Sequence, residues 1–182
     1  MQCIETEIAD VKLIVPDVYG DERGYFKETW NAARFAEYGM RATFVQDNQS
    51  RSGRGILRGL HYQIRQPQGK LVGILSGEVF DVAVDLRRSS ASFGKWVGRR
   101  LAAGEHAMLW IPPGFAHGFY VLSETADLAY KCTDFYAPEH ERTLVWNDPD
   151  LNIDWPLIDG ADPLVSAKDA RGALFRNAEY FS

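Results

Sequence analysis

Cysteine is scarce in this sequence, and its scarcity excludes several kinds of site. Only Cys3 and Cys132 are present among 182 residues. Two cysteines so far apart provide neither a disulfide framework nor a cysteine-based zinc site. Long apolar runs are missing as well. No segment approaches the ~20 apolar residues of a membrane span, and the N-terminal segment has acidic residues where a secretory signal needs an apolar stretch. We therefore expect a cytoplasmic protein that has no membrane partner.

An excess of positive charge is also missing. The formal net charge is −5, whereas a general nucleic-acid binder needs surplus Lys and Arg. The hydrophobic share of 46% can fill a real core, and no repeat, low-complexity tract or linker interrupts the chain. We expect a single domain over residues 1–182, with a core at about 42–146 and N-terminal strands and a C-terminal helix packed on it.

Short apolar segments separated by Gly, Pro, Asn and Asp dominate what the sequence does contain, and this texture is typical of strands. The clearest pair is Lys70–Leu75 and Glu78–Leu86, joined by a tight turn at Ser76-Gly77. In the second strand, the even-numbered residues share one face and the odd-numbered residues the other. Further strands are predicted at Val11–Val15, Ala42–Asp47, Leu57–Gln63, Trp96–Leu101, His106–Ile111, Gly118–Ser123 and Leu128–Phe135.

Two helices complete the predicted elements. Asn31 can cap the segment AARFAEY, and Gly39 can end it. Ser166 opens the segment SAKDARGALF with Asp169 three residues later, a spacing that resembles a capping box. Many strands with two short helices indicate a mainly β fold, an antiparallel barrel or jelly roll.

Two segments, RGLHYQ and IPPGFAHGF, each carry one histidine among turn and apolar residues, His61 and His117. The spacing of PPGFAH matches the second metal motif of the cupin barrels. Their first motif requires His-x-His, and here Gln63 stands in place of the second histidine. A neutral amide oxygen is a weak ligand for a transition metal, so we expect a pocket without a metal. His61 is then free to accept a proton near neutral pH.

Inversion at a carbon atom needs a second group that returns the proton on the opposite face. Tyr130 is the candidate, because in DLAYKCTDF it shares a strand face with Cys132. We predict that His61 shares its own strand face with Leu57 and Gly59. Taken singly, each side chain also has an ordinary structural explanation, as a satisfied histidine or a core aromatic residue with a wet hydroxyl.

Side chains suited to an anionic nucleotide lie near these histidines. Arg23 stands among turn residues in GDERGYFKE, and Arg58 precedes the first histidine by three positions. The planar guanidinium group binds phosphate through two parallel hydrogen bonds. The segment VQDNQS adds amides that can read the edge of a base, and Phe26, Phe135 or Tyr136 could stack on it.

Nine motifs carry a further signal when they are taken together. They are, in chain order, GDERGYFKE, FVQDNQSRS, GILRGLHYQ, QGKLV, GEVFDVAVDLRRSSASFGKW, WIPPGFAHGF, YKCTDFYAPEHER, WNDPDLNIDWP and LVSAKD. Together they resemble the dTDP-4-dehydrorhamnose 3,5-epimerases over nearly the whole chain. The resemblance implies a cupin-like jelly-roll barrel that works as a homodimer without a metal or other cofactor. It also implies an isomerase that inverts C3 and C5 of dTDP-4-dehydro-6-deoxy-D-glucose, giving dTDP-4-dehydro-L-rhamnose for dTDP-L-rhamnose biosynthesis.

The same resemblance implies roles for individual residues. His61 matches the general base, Tyr130 the general acid, and Lys70 the cation that stabilises the enolate at O4. Asp169 matches a partner that orients His61, although a capping role for Asp169 stays open. Substrate-contacting positions are matched by Arg23, Phe26, Glu28, Gln46, Asn48, Arg58, His117, Glu141 and Lys168. Arg23, Phe26 and Glu28 are expected to reach the partner subunit's site through an exchanged N-terminal strand.

Three alternatives remain beside this function. A C3-only or C5-only epimerase of a related deoxysugar pathway would share most of these residues. A sugar-nucleotide binding module with a dead site would bind the substrate without exchanging its protons. A metal-dependent cupin oxygenase would need bound iron, which Gln63 disfavours.

Overall fold

The computed structural model describes residues 1–182 and contains thirteen strands and one α-helix. The strands are β1 (Gln2–Glu5), β2 (Lys12–Val15), β3 (Val18–Asp21), β4 (Gly24–Lys27), β5 (Gln46–Gly53), β6 (Leu57–Gln63), β7 (Lys70–Ser76), β8 (Glu78–Asp85), β9 (Trp96–Ala102), β10 (Met108–Ile111), β11 (Phe115–Val121), β12 (Thr125–Cys132) and β13 (Glu141–Thr143). The helix α1 spans Ala32–Glu37, and 3₁₀ turns lie at Ala103–Glu105, Pro138–His140, Ile158–Gly160, Asp169–Arg171 and Phe175–Asn177.

The strands form two antiparallel sheets and a separate hairpin. One sheet has six strands in the order β1-β2-β10-β7-β12-β5, and the other has five in the order β13-β6-β11-β8-β9. The hairpin consists of β3 and β4. Because each sheet buries an apolar face, the two pack against each other as a sandwich. The mainly β, cupin-like jelly roll predicted from the strand pattern is confirmed.

The predicted hairpin of β7 and β8 forms around Gly77. This glycine has φ +78°, and a Cβ there would lie 2.1 Å from the carbonyl oxygen of Thr125, so only glycine fits the turn. The predicted alternation in β8 also holds. Val79 and Ala83 enter one apolar cluster, whereas Val82 and Val84 enter another.

Three apolar clusters hold the layers together. The largest lies between the sheets and includes Leu109 and Leu128 from one sheet and Phe119 from the other. A second covers the outer face of the five-stranded sheet with C-terminal residues such as Trp155. A third covers the outer face of the six-stranded sheet, where Phe35 of α1 is fully buried. Since the outer faces are closed by these layers, the free space for a ligand lies between the sheets.

The predicted helix after Asn31 is confirmed. The Asn31 side chain accepts hydrogen bonds from the amides of Ala33 and Arg34, and Gly39 follows the helix with φ +80°. At six residues this is the longest helix of the chain. No helix is long and apolar enough to cross a membrane.

Two predicted elements are wrong. The helix predicted for SAKDARGALF is only the 3₁₀ turn Asp169–Arg171, because the chain then turns away and Ala173 bonds across to Thr143. The strand predicted at Ala42–Asp47 instead runs over Gln46–Gly53. The other predicted strands lie within three residues of the observed ones.

Candidate active site

A cavity of about 360 Å³ lies between the two sheets, beside the central apolar cluster. The six-stranded sheet contributes β5, β7 and β12 to its wall, and the five-stranded sheet contributes β6, β11 and β13. Eight residues predicted from the sequence line it: Gln46, Asn48, Arg58, His61, Lys70, His117, Tyr130 and Glu141. The fold therefore brings together residues that are far apart in the chain.

His61 is bound to a buried carboxylate behind the cavity wall. Its Nε2 lies 2.6 Å from Oδ1 of Asp169, and the Gly59 amide donates to Oδ2 at 3.3 Å. Burial raises the pKa of Asp169, but the hydrogen bonds from His61 and Gly59 outweigh burial and leave it below its usual range. The carboxylate therefore stays ionised at neutral pH. The capping contact is also present, since Ser166 Oγ accepts from the Asp169 amide at 3.1 Å.

The prediction that His61 shares a strand face with Leu57 is wrong. Leu57 and Tyr62 both pack into the outer cluster, while His61 faces the cavity. The alternation breaks at Gly59, where φ is +117° and the pairing with β11 shifts register. As a result, Arg58 and His61 both reach the cavity although they are three residues apart.

Tyr130 approaches the same cavity from the opposite sheet. It lies on β12 and shares the inward face with Leu128 and Cys132, as predicted, while Lys131 points outward to Asp47. Its hydroxyl makes no hydrogen bond within the chain. Burial raises the pKa of Tyr130, so the phenol stays protonated at neutral pH and can donate a proton.

Lys70 begins β7 and is buried in the cavity wall, with 9% of its surface exposed. The sequence alone favours a solvated lysine at the head of a strand. Here the ammonium group forms no ion pair within the chain, and burial lowers its pKa. Nearby acidic groups, among them Asp81 and Glu141, act in the opposite direction and raise the pKa of Lys70. The ammonium is therefore free to bind an oxygen atom of a ligand.

His117 forms a second histidine–carboxylate pair. On β11 it stands directly opposite His61 of β6. Its Nε2 lies 3.0 Å from both carboxylate oxygens of Asp81, which is completely buried. Sequence reasoning missed Asp81, although a charged residue between Val79 and Ala83 on an inward strand face is a usable signal.

A polar network forms the rim of the cavity. Gln46 donates to Asn48 Oδ1 at 2.9 Å and accepts from the Tyr136 amide at 2.9 Å. The Tyr136 hydroxyl donates to Glu141 at 2.8 Å, and Lys168 forms an ion pair with the same carboxylate at 2.5 Å. Burial alone would raise the pKa of Glu141. The hydrogen bonds from Lys168 and Tyr136 outweigh burial and leave the pKa below its usual value. Lys168 is thus connected to the site through its ion pair with Glu141.

Gln63 lines the cavity, but its side-chain amide is hydrogen-bonded within the chain. Its Nε2 donates to the carbonyl oxygens of Gln66 and Phe135 at 2.7 and 3.1 Å, and its Oε1 accepts from the Ala137 amide at 2.8 Å. The side-chain amide of Gln63 therefore holds the loop that follows β12 in place. No three His, Cys, Asp or Glu side chains converge as metal ligands. That the protein needs no metal remains a prediction.

Three predicted substrate contacts lie outside the cavity of their own chain. Arg23 pairs with Asp21 in the hairpin of β3 and β4, and Phe26 is 69% exposed there. Glu28 is held by Arg34 at 3.1 Å. The hairpin is exposed, so Arg23 and Phe26 lie where a second molecule could contact them, as the exchanged-strand hypothesis requires.

A sequence comparison decides the family. The family model described as dTDP-4-dehydrorhamnose 3,5-epimerase matches residues 5–177. The chain belongs to the dTDP-4-dehydrorhamnose 3,5-epimerase family. A dTDP-4-dehydrorhamnose 3,5-epimerase from Pseudomonas aeruginosa is 60% identical to it over 182 residues, which cover 100% of this chain and 99% of the relative.

Solved structures of family members superpose closely on this chain. A dTDP-6-deoxy-D-glucose-3,5-epimerase from Legionella pneumophila, in complex with dTDP-4-keto-L-rhamnose, matches with a TM-score of 0.94 and 54% identity, covering 98% of this chain and 94% of that one. A 3′-monoepimerase from Streptomyces bikiniensis, in complex with dTDP-quinovose, matches with a TM-score of 0.85 and 31% identity, covering 93% and 86%. A 3,5-epimerase and a 3′-monoepimerase therefore both share the fold of this chain.

Proposed function

We propose that this chain is an isomerase that inverts C3 and C5 of dTDP-4-dehydro-6-deoxy-D-glucose and yields dTDP-4-dehydro-L-rhamnose. The observation that carries the proposal is the placement of His61 and Tyr130 in one cavity on opposite sheets. High identity to 3,5-epimerases over the full chain length supports it. The reaction supplies dTDP-L-rhamnose biosynthesis, in which a separate reductase acts next.

His61 is the proposed general base. The ionised Asp169 accepts a hydrogen bond from Nε2–H of His61, so the lone pair of the neutral ring is at Nδ1. C3 and C5 both flank the C4 ketone, and each C–H bond is acidified because the resulting carbanion delocalises into an enolate. Removal of the proton by Nδ1 turns the imidazole into an imidazolium, which the Asp169 carboxylate stabilises.

Lys70 is the proposed partner of the enolate oxygen. An enolate is too unstable in neutral water to form readily, and a cation placed where the negative charge develops lowers its energy. The buried ammonium has no partner of its own in the chain and lines the cavity. Its interaction with O4 is therefore strongest after the proton has left.

Tyr130 is the proposed general acid. Its phenol donates a proton to the enolate carbon on the face opposite His61, and this inverts the centre. The hydroxyl is poised for this because it is protonated and has no partner within the chain. Solvent then returns a proton to the phenolate and removes one from the imidazolium, which restores both groups.

The nucleotide part of the substrate supplies binding energy without reacting. Arg58 suits the diphosphate, and the amides of Gln46 and Asn48 suit the base. Arg58 is held in place by Ser52, whose Oγ accepts from Nε at 2.8 Å. These contacts hold the sugar between base and acid, so that binding energy is converted into orientation.

The homodimer and the cytoplasmic location are part of the proposal. The hairpin of β3 and β4 exposes Tyr19, Tyr25 and Phe26 by 61–69%, more apolar surface than a small hairpin normally leaves in water. A second subunit would cover these rings and receive Arg23 and Glu28 in its site. The two unpaired cysteines suit a reducing compartment.

The test is conversion of the dTDP-keto sugar by purified protein, followed by NMR of the product ring. We expect the L-rhamno configuration, inverted at both carbons, from the wild type. His61→Asn should abolish conversion while dTDP binding, measured by calorimetry, stays within a few-fold of wild type. A wild-type protein that binds the keto sugar and never alters it would support a binding module in place of an enzyme.

A further inference from the structure

The pair formed by His117 and Asp81 has no role in the proton transfers described above. Asp81 is completely buried, and both of its oxygens lie 3.0 Å from Nε2 of His117. His117 lines the cavity beside His61, its cross-strand neighbour in the same sheet. The second ring nitrogen of His117, Nδ1, makes no hydrogen bond within the chain. One ring atom at the cavity wall is therefore available for a ligand.

The carboxylate determines which ring atom that is. A buried carboxylate is costly unless a hydrogen bond satisfies it, and His117 Nε2–H is the only hydrogen-bond donor that reaches Asp81. With both carboxyl oxygens of Asp81 at 3.0 Å, Nε2 is the ring atom that bears the proton. A neutral imidazole that is protonated at Nε2 carries its lone pair at Nδ1.

Electrostatics in the cavity restrict what Nδ1 can bind. Besides His117, the charged or titratable side chains that line the same cavity are Arg58, His61, Tyr62, Lys70, Tyr130, Tyr136 and Glu141. Phosphate and ketone oxygens accept hydrogen bonds, and they suit Arg58 and Lys70. The lone pair at Nδ1 of His117 repels such oxygens, so Nδ1 requires a hydrogen-bond donor from the ligand. A sugar nucleotide offers donors in its hydroxyl groups, and the ring that carries Nδ1 lines the cavity next to His61.

We propose that Asp81 is a positioning residue, which fixes the His117 tautomer and orientation so that Nδ1 accepts a hydrogen bond from a hydroxyl group of the bound sugar. The identity of the ligand rests on the proposed function. The tautomer does not, because it follows from the contact between His117 and Asp81 alone. Control of a histidine tautomer by a carboxylate at the opposite ring nitrogen is a general device in protein sites.

The first experiment is ¹⁵N NMR of protein labelled at histidine, with His117→Asn used to assign the ring signals. In the wild type we expect His117 as the Nε2–H tautomer with an unprotonated Nδ1. Asp81→Asn keeps the shape but offers both a donor and an acceptor, so a shift toward the Nδ1–H tautomer is expected. An Nδ1–H tautomer or a doubly protonated ring in the wild type overturns the proposal, as does an unchanged spectrum in Asp81→Asn.

A double-mutant cycle on KM tests the action through His117. Asp81→Asn and His117→Asn should each raise KM for the dTDP-keto sugar by about 3- to 10-fold, the usual worth of one hydrogen bond. The double variant should be no worse than His117→Asn, because the two residues act as one unit. Additive losses would mean that Asp81 acts separately and would overturn the proposal.

Asp85→Asn is the matched control. Asp85 lies on the same strand, on the same face and is equally buried, but it binds a loop far from His117 in the hydrogen-bond network. This variant should leave the His117 tautomer unchanged. Failure of the proposed function would give a different result from failure of the Asp81 proposal. In the first case the wild type would convert no keto sugar, while the tautomer measurement would still decide the role of Asp81.

Discussion

His61 and Tyr130 face one cavity from opposite sheets of the sandwich, on β6 and β12. Each side chain is half-buried, in surroundings that suit a different step. The imidazole is hydrogen-bonded to an ionised carboxylate, and desolvation raises the pKa of the phenol and so favours its protonated form. A base and an acid on opposing walls can invert a carbon held between them, whereas two groups on one wall can only exchange its proton.

Tyr130→Phe separates proton removal from proton return. The base is intact in this variant, so solvent deuterium should still enter the substrate. The rate of formation of inverted product should fall by about 10²- to 10⁴-fold, the usual contribution of a general acid. NMR in heavy water measures both quantities in one sample. Equal loss of exchange and inversion would contradict the assignment of Tyr130 as an acid only.

Asp169→Asn tests the carboxylate behind His61. An amide can hydrogen-bond the ring but does not fix its tautomer or stabilise the imidazolium, so kcat should fall by about 10²- to 10⁴-fold. Ser166→Ala is the matched control, because it removes the bond to the Asp169 amide and leaves the carboxylate contact in place. A comparable loss in both variants would show that Asp169 matters only as part of its turn.

Lys70→Met should lower the activity of the protein and raise its stability. Burial lowers the pKa of Lys70, so the folded chain holds this proton less tightly than the unfolded chain, and the charged ammonium destabilises the fold at neutral pH. Methionine removes that penalty and should raise the melting temperature. It should also lower kcat by about 10²- to 10³-fold. Lys131→Met, at an exposed ion pair with Asp47, should change neither property much.

Asp85 predicts a pH dependence of stability. Burial raises its pKa, but hydrogen bonds from Arg87, Ser90 and Ser92 outweigh burial and lower the pKa to about 2. A carboxyl whose pKa is lower in the folded state stabilises the fold above its unfolded pKa of about 4, and this contribution is lost as the pH falls toward 2. Asp85→Asn should therefore cost about 2 kcal/mol at pH 7. Urea unfolding should show the difference vanishing near pH 2.

The predictable part of the fold was the part with apolar alternation. The strands β7 and β8 and the helix after Asn31 follow from local pattern, turn chemistry and capping. The strand Gln46–Gly53 was misplaced because its inward face lines the cavity and is polar, which hides the alternation. The segment after Ser166 has a helical start signal but is pulled into long-range bonds with Thr143.

The site was predictable in its membership more than in its geometry. The resemblance to a family supplied His61 and Asp169, but 108 residues separate them, and no spacing rule predicts a 2.6 Å contact over that distance. The face shared by Arg58 and His61 depends on the conformation of Gly59, which simple alternation does not describe. The site role of Asp81 is not predictable from local pattern, because its partner His117 is 36 residues away in the chain.

The most direct measurement of double inversion counts solvent deuterium at the two ring carbons. Wild-type protein is mixed with dTDP-4-dehydro-6-deoxy-D-glucose in heavy water, and the ring protons are followed by NMR. Label and inverted configuration are expected at both C3 and C5, since one base and one acid serve both carbons of the ketone. Label and inversion at a single carbon would contradict double epimerisation and favour a mono-epimerase on the same fold, such as the Streptomyces bikiniensis neighbour.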